Sequence, residues 1–246
     1  SMSKVALVTG GSRGIGASTC LLLADKGYAV AVNYRADNTA ADAVVEQITA
    51  KGGRAIALQG DVGDEAQVIA MFEAVDKEFG QLDALVNNAG VSGPRGRLDE
   101  LDLESIQRVL ATNVTGAILC AREAVKRMST RHGGKGGAIV NISSGSAYIG
   151  GPGSGIIYAV SKGALNSMQI GLSQEVAGEG IRVNAVLPGL TETDMPTRES
   201  LDRGGDVIPM GRVGLPEEIA EAVVWLLSDQ ASYVAGGMLR VAGGRP

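Results

Sequence analysis

Tyr158 and Lys162 stand four residues apart in Tyr158-Ala-Val-Ser-Lys162. On a helix they share one face, and their side chains can converge. A phenol beside an ammonium is an acid–base device. Free tyrosine titrates near pH ~10 and passes protons poorly at neutrality, and lowering that by about two or three units takes roughly 3–4 kcal/mol of preference for the phenolate. One cation at ~4 Å supplies about that much at an effective dielectric of ~20, but only about 1 kcal/mol in bulk water. The pair is useful only in a cleft that partly excludes water. Alone, it is also how an ordinary solvated helix face reads, so the surrounding elements must decide.

Those elements alternate. Lys4 to Gly10 is a short continuous apolar run, suited to a strand buried on both faces. A helix over 17–26 follows, then a strand over 28–34, a helix over 38–51, a strand over 54–58, a helix over 64–79 and a strand over 82–87. A long helix is expected at Leu103 to Arg131, a strand over 138–143, a helix over 158–178 and a strand over 181–187. The stretch from Leu190 to Gly211 contains Pro196, Gly204, Gly205 and Pro209 among charged residues, the composition of a mobile segment and not of a packed element. A helix over 216–228, with Pro near its first position, and a strand over 237–241 close the chain. This rhythm implies an α/β fold: one doubly wound domain over residues 1–246, with a parallel sheet and helices on both faces. Ser1-Met2-Ser3 reads as a leftover ahead of a native start.

Composition narrows the function. The chain has 246 residues, 45% apolar and 20% charged, with a net charge of −5 and no block of Lys/Arg, which disfavours nucleic acid as a partner. No apolar run approaches the ~20 residues needed to cross a bilayer, and no signal peptide is evident. His132 is the only histidine, and Cys20 and Cys120 are scattered, so neither a His-based triad nor a metal site is expected. Two cysteines in apolar helical segments read as thiols of a reducing, cytoplasmic compartment.

In an open parallel sheet a ligand sits beyond the carboxyl ends of the strands. The first such end is Thr9-Gly10-x3-Gly14-x-Gly16. Glycines there let the backbone approach a pyrophosphate, and the helix N-terminus offers free N–H groups. The spacing departs from G-x-G-x-x-G, and a tight turn would look similar. Position strengthens it: first strand, first turn, helix next.

Taken together, Thr-Gly-x3-Gly-x-Gly, Asn87-Asn-Ala-Gly90, Asn113 in Thr112-Asn-Val-x-Gly116, Ser144 and Tyr158-x3-Lys162 resemble the short-chain dehydrogenase/reductase family. Asp61-Val62 and Pro188-Gly189 fit as well, and the motifs span the chain in the family's order. The resemblance implies a Rossmann-type sheet of seven parallel strands, in agreement with the strand count above. It implies a nicotinamide cofactor bound by Gly10, Ser12, Arg13, Gly14, Ile15 and Gly16 at the pyrophosphate, by Asp61 and Val62 at the adenine, and by Asn87, Ala89 and Gly90 along the ribose. Pro188 and Gly189 would lie beneath the nicotinamide, with Thr191 and Thr193 at its carboxamide and the adjoining phosphate. Tyr158 would be the general acid or base, and Lys162 would lower its pKa and bind the ribose. Ser144 would polarise the substrate oxygen, and Asn113 would hold a water relay behind the lysine.

Two points stay open. Family members commonly place the serine thirteen residues before the tyrosine, where this chain has Gly145; Ser144 is fourteen before, with Ser143 and Ser146 as alternatives. For the cofactor, Arg35 at the end of the second strand and Arg13 favour NADP(H) over NAD(H), because arginine attracts a 2′-phosphate. Asp37, about twenty residues past the glycines, is where an acid favouring NAD(H) is expected, but it falls in the next turn. The tail from Tyr233 and Ile208-Pro-Met-Gly-Arg resemble 3-oxoacyl-carrier-protein reductases, whereas Asn33-Tyr34-Arg35 resembles glucose dehydrogenase-like members. The expected activity is hydride transfer between nicotinamide and a carbonyl or secondary alcohol of a small-molecule substrate. The resemblance also implies a homo-oligomer, a tetramer. A non-catalytic nucleotide sensor on the same fold is the rival, and it predicts loss of Tyr158 or Lys162.

Overall fold

The computed structural model describes residues 3–245; Ser1, Met2 and Pro246 lie outside the described residues. Seven strands, β1 (Val5–Val8), β2 (Ala29–Tyr34), β3 (Ala55–Gln59), β4 (Ala84–Asn87), β5 (Gly137–Ile142), β6 (Ile181–Pro188) and β7 (Met238–Val241), form one sheet in the order β3-β2-β1-β4-β5-β6-β7. Every pairing is parallel. The helices are α1 (Gly14–Asp25), α2 (Asn38–Ala50), α3 (Glu65–Phe79), α4 (Leu103–Leu110), α5 (Gly116–Met128), α6 (Ser146–Ile149), α7 (Ile156–Val176), α8 (Arg198–Asp202), α9 (Gly204–Val207) and α10 (Pro216–Leu227).

The two faces are built by alternation within each strand. Ala6 and Val8 of β1 point to one side, where they pack with Cys20 and Leu23 of α1, Val44 and Ile48 of α2 and Ile219 and Val223 of α10. Val5 and Leu7 point to the other, against Val68 and Phe72 of α3, Cys120 and Met128 of α5 and Val176 of α7. A strand covered on both faces has no place for a polar side chain along its length, which is why β1 and β4 are buried throughout. Polar residues are pushed to the carboxyl ends, and there the chain order reverses between β1 and β4, opening a crevice.

Local signals set the helix ends. Asp37 caps α2 by accepting from Ala40 N at 3.1 Å, Asp64 caps α3 by accepting from Gln67 N at 3.1 Å, and Gly80 (φ +73°) ends α3 in the left-handed conformation. Pro216 opens α10 at its first turn.

Two expectations gain detail. The long helix expected over 103–131 runs from Leu103 to Met128, with α4 and α5 joined without a break by a π-helical turn, Ala111–Thr115, and it ends there because Ser129 is extended. The segment 190–211 holds two short helices, α8, with no buried residue, and α9, in which Gly204 alone is buried. Thr197 caps α8 by accepting from Ser200 N at 3.2 Å, and Gly204 is buried so tightly that a Cβ would fall 2.3 Å from Val213.

Candidate active site

At the end of β1 three polar side chains shape the turn. Asn33 accepts from Gly10 N at 3.1 Å and donates to the carbonyls of Leu58 (3.2 Å) and Gly60 (3.1 Å), tying the loops after β1 and β3 to β2. Asn88 donates to Thr9 O at 3.0 Å and Gly10 O at 2.9 Å, and the Thr9 hydroxyl accepts from Asn88 N and Ala89 N, each at 3.0 Å. Gly10 and Gly14 hold positive φ, +59° and +53°, which a side chain would strain. A Cβ on Gly16 would lie 2.2 Å from Gly10 O, so only glycine lets α1 start this close to the loop. No side chain caps α1 and no acid sits in its first turn. Its leading N–H groups therefore lack intrahelical acceptors and face the crevice. This cradle suits a diphosphate.

The cleft above it has a volume of about 670 Å³. Its walls include Gly10, Arg13, Gly14, Ile15, Ala89, Gly90, Ser144, Tyr158, Lys162, Pro188, Gly189, Thr191 and Thr193. Of the other residues singled out in the sequence, Gly16 is buried beneath the loop, and Ser12 and Arg35 lie outside the cleft wall. Asp61 accepts from Gly63 N at 2.9 Å within its own turn, and Val62 is buried against Gly116. Asn87 points inward, donating to Ala117 O at 3.1 Å and to Asn141 at 3.0 Å.

Lys162 is 4% exposed. Its ammonium donates to Ile142 O at 2.8 Å and stands 5.6 Å from the centre of the Tyr158 ring. Burial lowers its pKa to about 8. Burial likewise pushes the Tyr158 phenol up, and a hydrogen bond with Ser144 pulls in the opposite direction. The balance differs from the expected one. The same exclusion of water that would strengthen the amine's pull penalises the phenolate more, and the group favouring ionisation here is the serine hydroxyl.

The three serines separate by their partners. Ser143 also lines the cleft but is 2% exposed, and its hydroxyl is engaged with Asn166 Oδ1 (2.6 Å) and Lys162 O (3.1 Å). Ser144 faces the cleft, partners Tyr158 and accepts from Ser146 N at 3.1 Å. Ser146 also lines the cleft and opens α6.

Asn113 sits in the π-helical turn, 1% exposed. It accepts from Val91 N at 2.8 Å and donates to Val91 O at 2.9 Å and to the Ser161 hydroxyl at 3.0 Å, while Ser161 donates to Tyr158 O at 2.7 Å. The loop after β4 is thereby moored to the helix carrying Tyr158. Asn113 sits where the turn widens, so a residue that is a poor helix former reaches sideways instead of along the axis.

Asn33, Asn88, Ser161 and Asn166 were absent from the sequence-derived set. Asn88 carried a signal, since it lies inside Asn87-Asn-Ala-Gly90; the others become visible only when strands meet. Asp37 does fall in the turn beyond β2. One carboxylate oxygen caps α2 and the other pairs with Arg13, which also reaches Asp194 at 3.6 Å. Among the described residues no cluster of three or more His, Cys, Asp or Glu side chains gathers to hold a metal. No helix among them is long and apolar enough to cross a membrane.

Comparison with known proteins gives consistent results. A family model described as enoyl-(acyl carrier protein) reductase matches residues 10–245. An uncharacterized oxidoreductase of Escherichia coli (strain K12), YgfF, is 54% identical, covering 98% of this chain and 99% of its own. A 3-oxoacyl-[acyl-carrier-protein] reductase of Staphylococcus aureus is 40% identical (99% and 98% covered), and glucose 1-dehydrogenase 2 of Bacillus subtilis is 39% identical (98% and 94%). Among solved structures, a short-chain dehydrogenase of Burkholderia cenocepacia in complex with NADP superposes with a TM-score of 0.92 at 37% identity. A 3-ketoacyl-(acyl-carrier-protein) reductase of Brucella melitensis complexed with NADH superposes with the same score at 34% identity; each covers 99% of this chain and 98% of its own.

Proposed function

This chain belongs to the short-chain dehydrogenase/reductase family and is a nicotinamide-dependent oxidoreductase; on that premise we propose that it is an NADP(H)-dependent carbonyl reductase, or alcohol dehydrogenase in reverse. One observation carries the proposal. Ser144, Tyr158 and Lys162 line the same cleft as a glycine cradle at a helix N-terminus.

Gly10, Gly14, Ile15 and the first N–H groups of α1 would hold the diphosphate, with Ala89 and Gly90 along the ribose and Pro188, Gly189, Thr191 and Thr193 around the nicotinamide. When bound, that ring supplies or accepts the hydride. Tyr158 donates a proton to the carbonyl oxygen in reduction and takes it back in oxidation. Ser144 holds that oxygen by a hydrogen bond that strengthens as negative charge develops. Lys162 brings a cation that a ribose hydroxyl can share and that favours the phenolate once the proton leaves. Asn113 and Ser161 hold the helix and loop in register.

The NADP(H) preference rests on Arg35, exposed and without an ion pair among the described residues, and on Arg13. Asp37 favours the other choice only weakly, because helix capping and Arg13 already occupy its carboxylate. A 3-oxoacyl thioester, a sugar or a small ketone fits the relatives' range. A homotetramer is part of the proposal, supported by exposed Ile118 of α5, Val160 and Ile170 of α7, and Met238 and Leu239 of β7. So are one domain over the whole chain, a lid at 190–211 and a cytoplasmic home, the last supported by two free buried cysteines.

The test is NADPH oxidation, followed at 340 nm, against ketones, aldehydes and 3-oxoacyl thioesters. Tyr158→Phe should lower kcat by about 10²–10⁴-fold. Parent-like turnover by that variant would remove the mechanism, and no turnover with either dinucleotide would favour the sensor.

A further inference from the structure

Most arginines of this chain are committed. Nine pair with acids among the described residues. Arg182 is spent on the carbonyls of Leu226, Ser228 and Val234, and Arg240 on the face of Tyr148. Arg35, Arg95, Arg108 and Arg245 make no ion pair among the described residues, and two of these, Arg95 and Arg245, line the cleft. The one acidic side chain lining it among the described residues, Asp194, is taken up by Arg13 at 3.6 Å. A chain of net charge −5 thus presents a cleft with surplus positive charge.

The two arginines come from separate segments of the chain, the loop after β4 and the tail after β7. Arg95 follows Gly93, which lies against Val109 and Ile157, the residue before Tyr158. Arg245 follows Gly243 and Gly244, which pack on Ile208, Met210 and Pro209 beyond α9. Neither belongs to the glycine cradle or to the end of β2, where the phosphates of a dinucleotide would lie. From this we infer that Arg95 and Arg245 are specificity residues for a substrate carrying an anionic group, carboxylate or phosphate, beside the carbonyl that meets Tyr158. The inference rests on the reductase reading and narrows it: a neutral sugar leaves both guanidiniums unanswered, whereas an oxo-acid or an oxo-phosphate engages them by charge-assisted hydrogen bonds.

The test compares 4-oxopentanoate, its methyl ester and dihydroxyacetone phosphate as substrates with NADPH. The wild type should prefer an anionic substrate over the ester by at least about tenfold in kcat/KM, and the preference should shrink as salt shortens the screening length from about 10 Å at 0.1 M to about 3 Å at 1 M. Arg95→Gln and Arg245→Gln should each lower the anion-to-ester ratio several-fold, and the double variant should abolish it; Arg108→Gln, the same charge change outside the cleft, should keep it. Which anion gains more identifies carboxylate or phosphate as the source. Pentanoate and inorganic phosphate, titrated calorimetrically, give a readout that needs no turnover. Binding of either that weakens about tenfold in the double variant supports the site even if no carbonyl is reduced, a result that would fell only the reductase reading. Ester turnover equal to acid turnover, or no binding of either anion, overturns the inference.

Discussion

Replacing Lys162 by methionine should make the protein inactive and, at neutral pH, no less stable. In the folded chain Lys162 titrates near 8 instead of the ordinary 10.5, because burial penalises the charged amine. A folded pKa below the unfolded one means that the native state is destabilised while the group is charged. The cost is fully present below pH 8 and fades as pH rises towards 10.5. That separation corresponds to about 3 kcal/mol at pH 7, and under about 1 kcal/mol of it remains at pH 10. Methionine removes this cost while keeping most of the apolar stem. It also strips Ile142 O of the donor it has at 2.8 Å, a loss of about 1–3 kcal/mol that does not depend on pH. The two effects nearly cancel at pH 7, and at pH 10 the loss dominates. Urea unfolding followed by circular dichroism at pH 7, 8, 9 and 10 separates them: the wild type should gain about 2–3 kcal/mol on the variant across that range. Stability curves that run parallel from pH 7 to pH 10 would refute the claim that Lys162 is held charged against its environment.

Gly16→Ala places a methyl 2.2 Å from Gly10 O and 2.6 Å from the Asn88 amide, so the loop must shift. The variant should lose about 1–3 kcal/mol of stability and bind NADPH at least tenfold more weakly, read by fluorescence titration. Ser143→Ala and Ser144→Ala should part company. The first leaves buried Asn166 Oδ1 without its donor and lowers stability by about 1–3 kcal/mol, while the second mainly lowers kcat; equal kcat losses would show that the two hydroxyls are not divided as their partners indicate. Arg35→Gln should raise the KM for NADPH about tenfold and barely move that for NADH, and a matching rise for both would assign Arg35 to the surface alone.

The sheet was legible because most of its strands are largely apolar runs followed by turn residues, and that pattern survives tertiary context. The π-helical turn at Ala111–Thr115 was not. Its residues read as ordinary helix, and only the bonds from Asn113 to Val91 and Ser161 show why an extra residue is accommodated. In the segment 190–211 Pro and Gly speak for looseness, and the segment is largely exposed, but Gly204 answers to packing, because nothing larger fits against Val213. Spacing brought Ser144, Tyr158 and Lys162 to attention, but the choice among three serines needed the direction in which each hydroxyl points. The charge balance between Tyr158 and Lys162 was beyond the sequence altogether, because one burial acts on both groups with opposite consequences.

The widened turn at Ala111–Thr115 inverts the usual tolerance of a fold to changes in length. Surface turns such as the one at Gly52 can gain or lose a residue with little harm, whereas a helix is ordinarily judged by which residues it contains. Here the count itself matters. Deleting one residue between 111 and 115 would close the widened turn into a regular helix, with α4 and α5 keeping their places because the turn is what absorbs the additional residue. Cys120, Ala124 and Met128 would stay against the sheet, but Asn113 would lose its sideways reach and let go of the loop it moors. A more regular helix is thus open to this chain only by giving up the arrangement on which its chemistry depends.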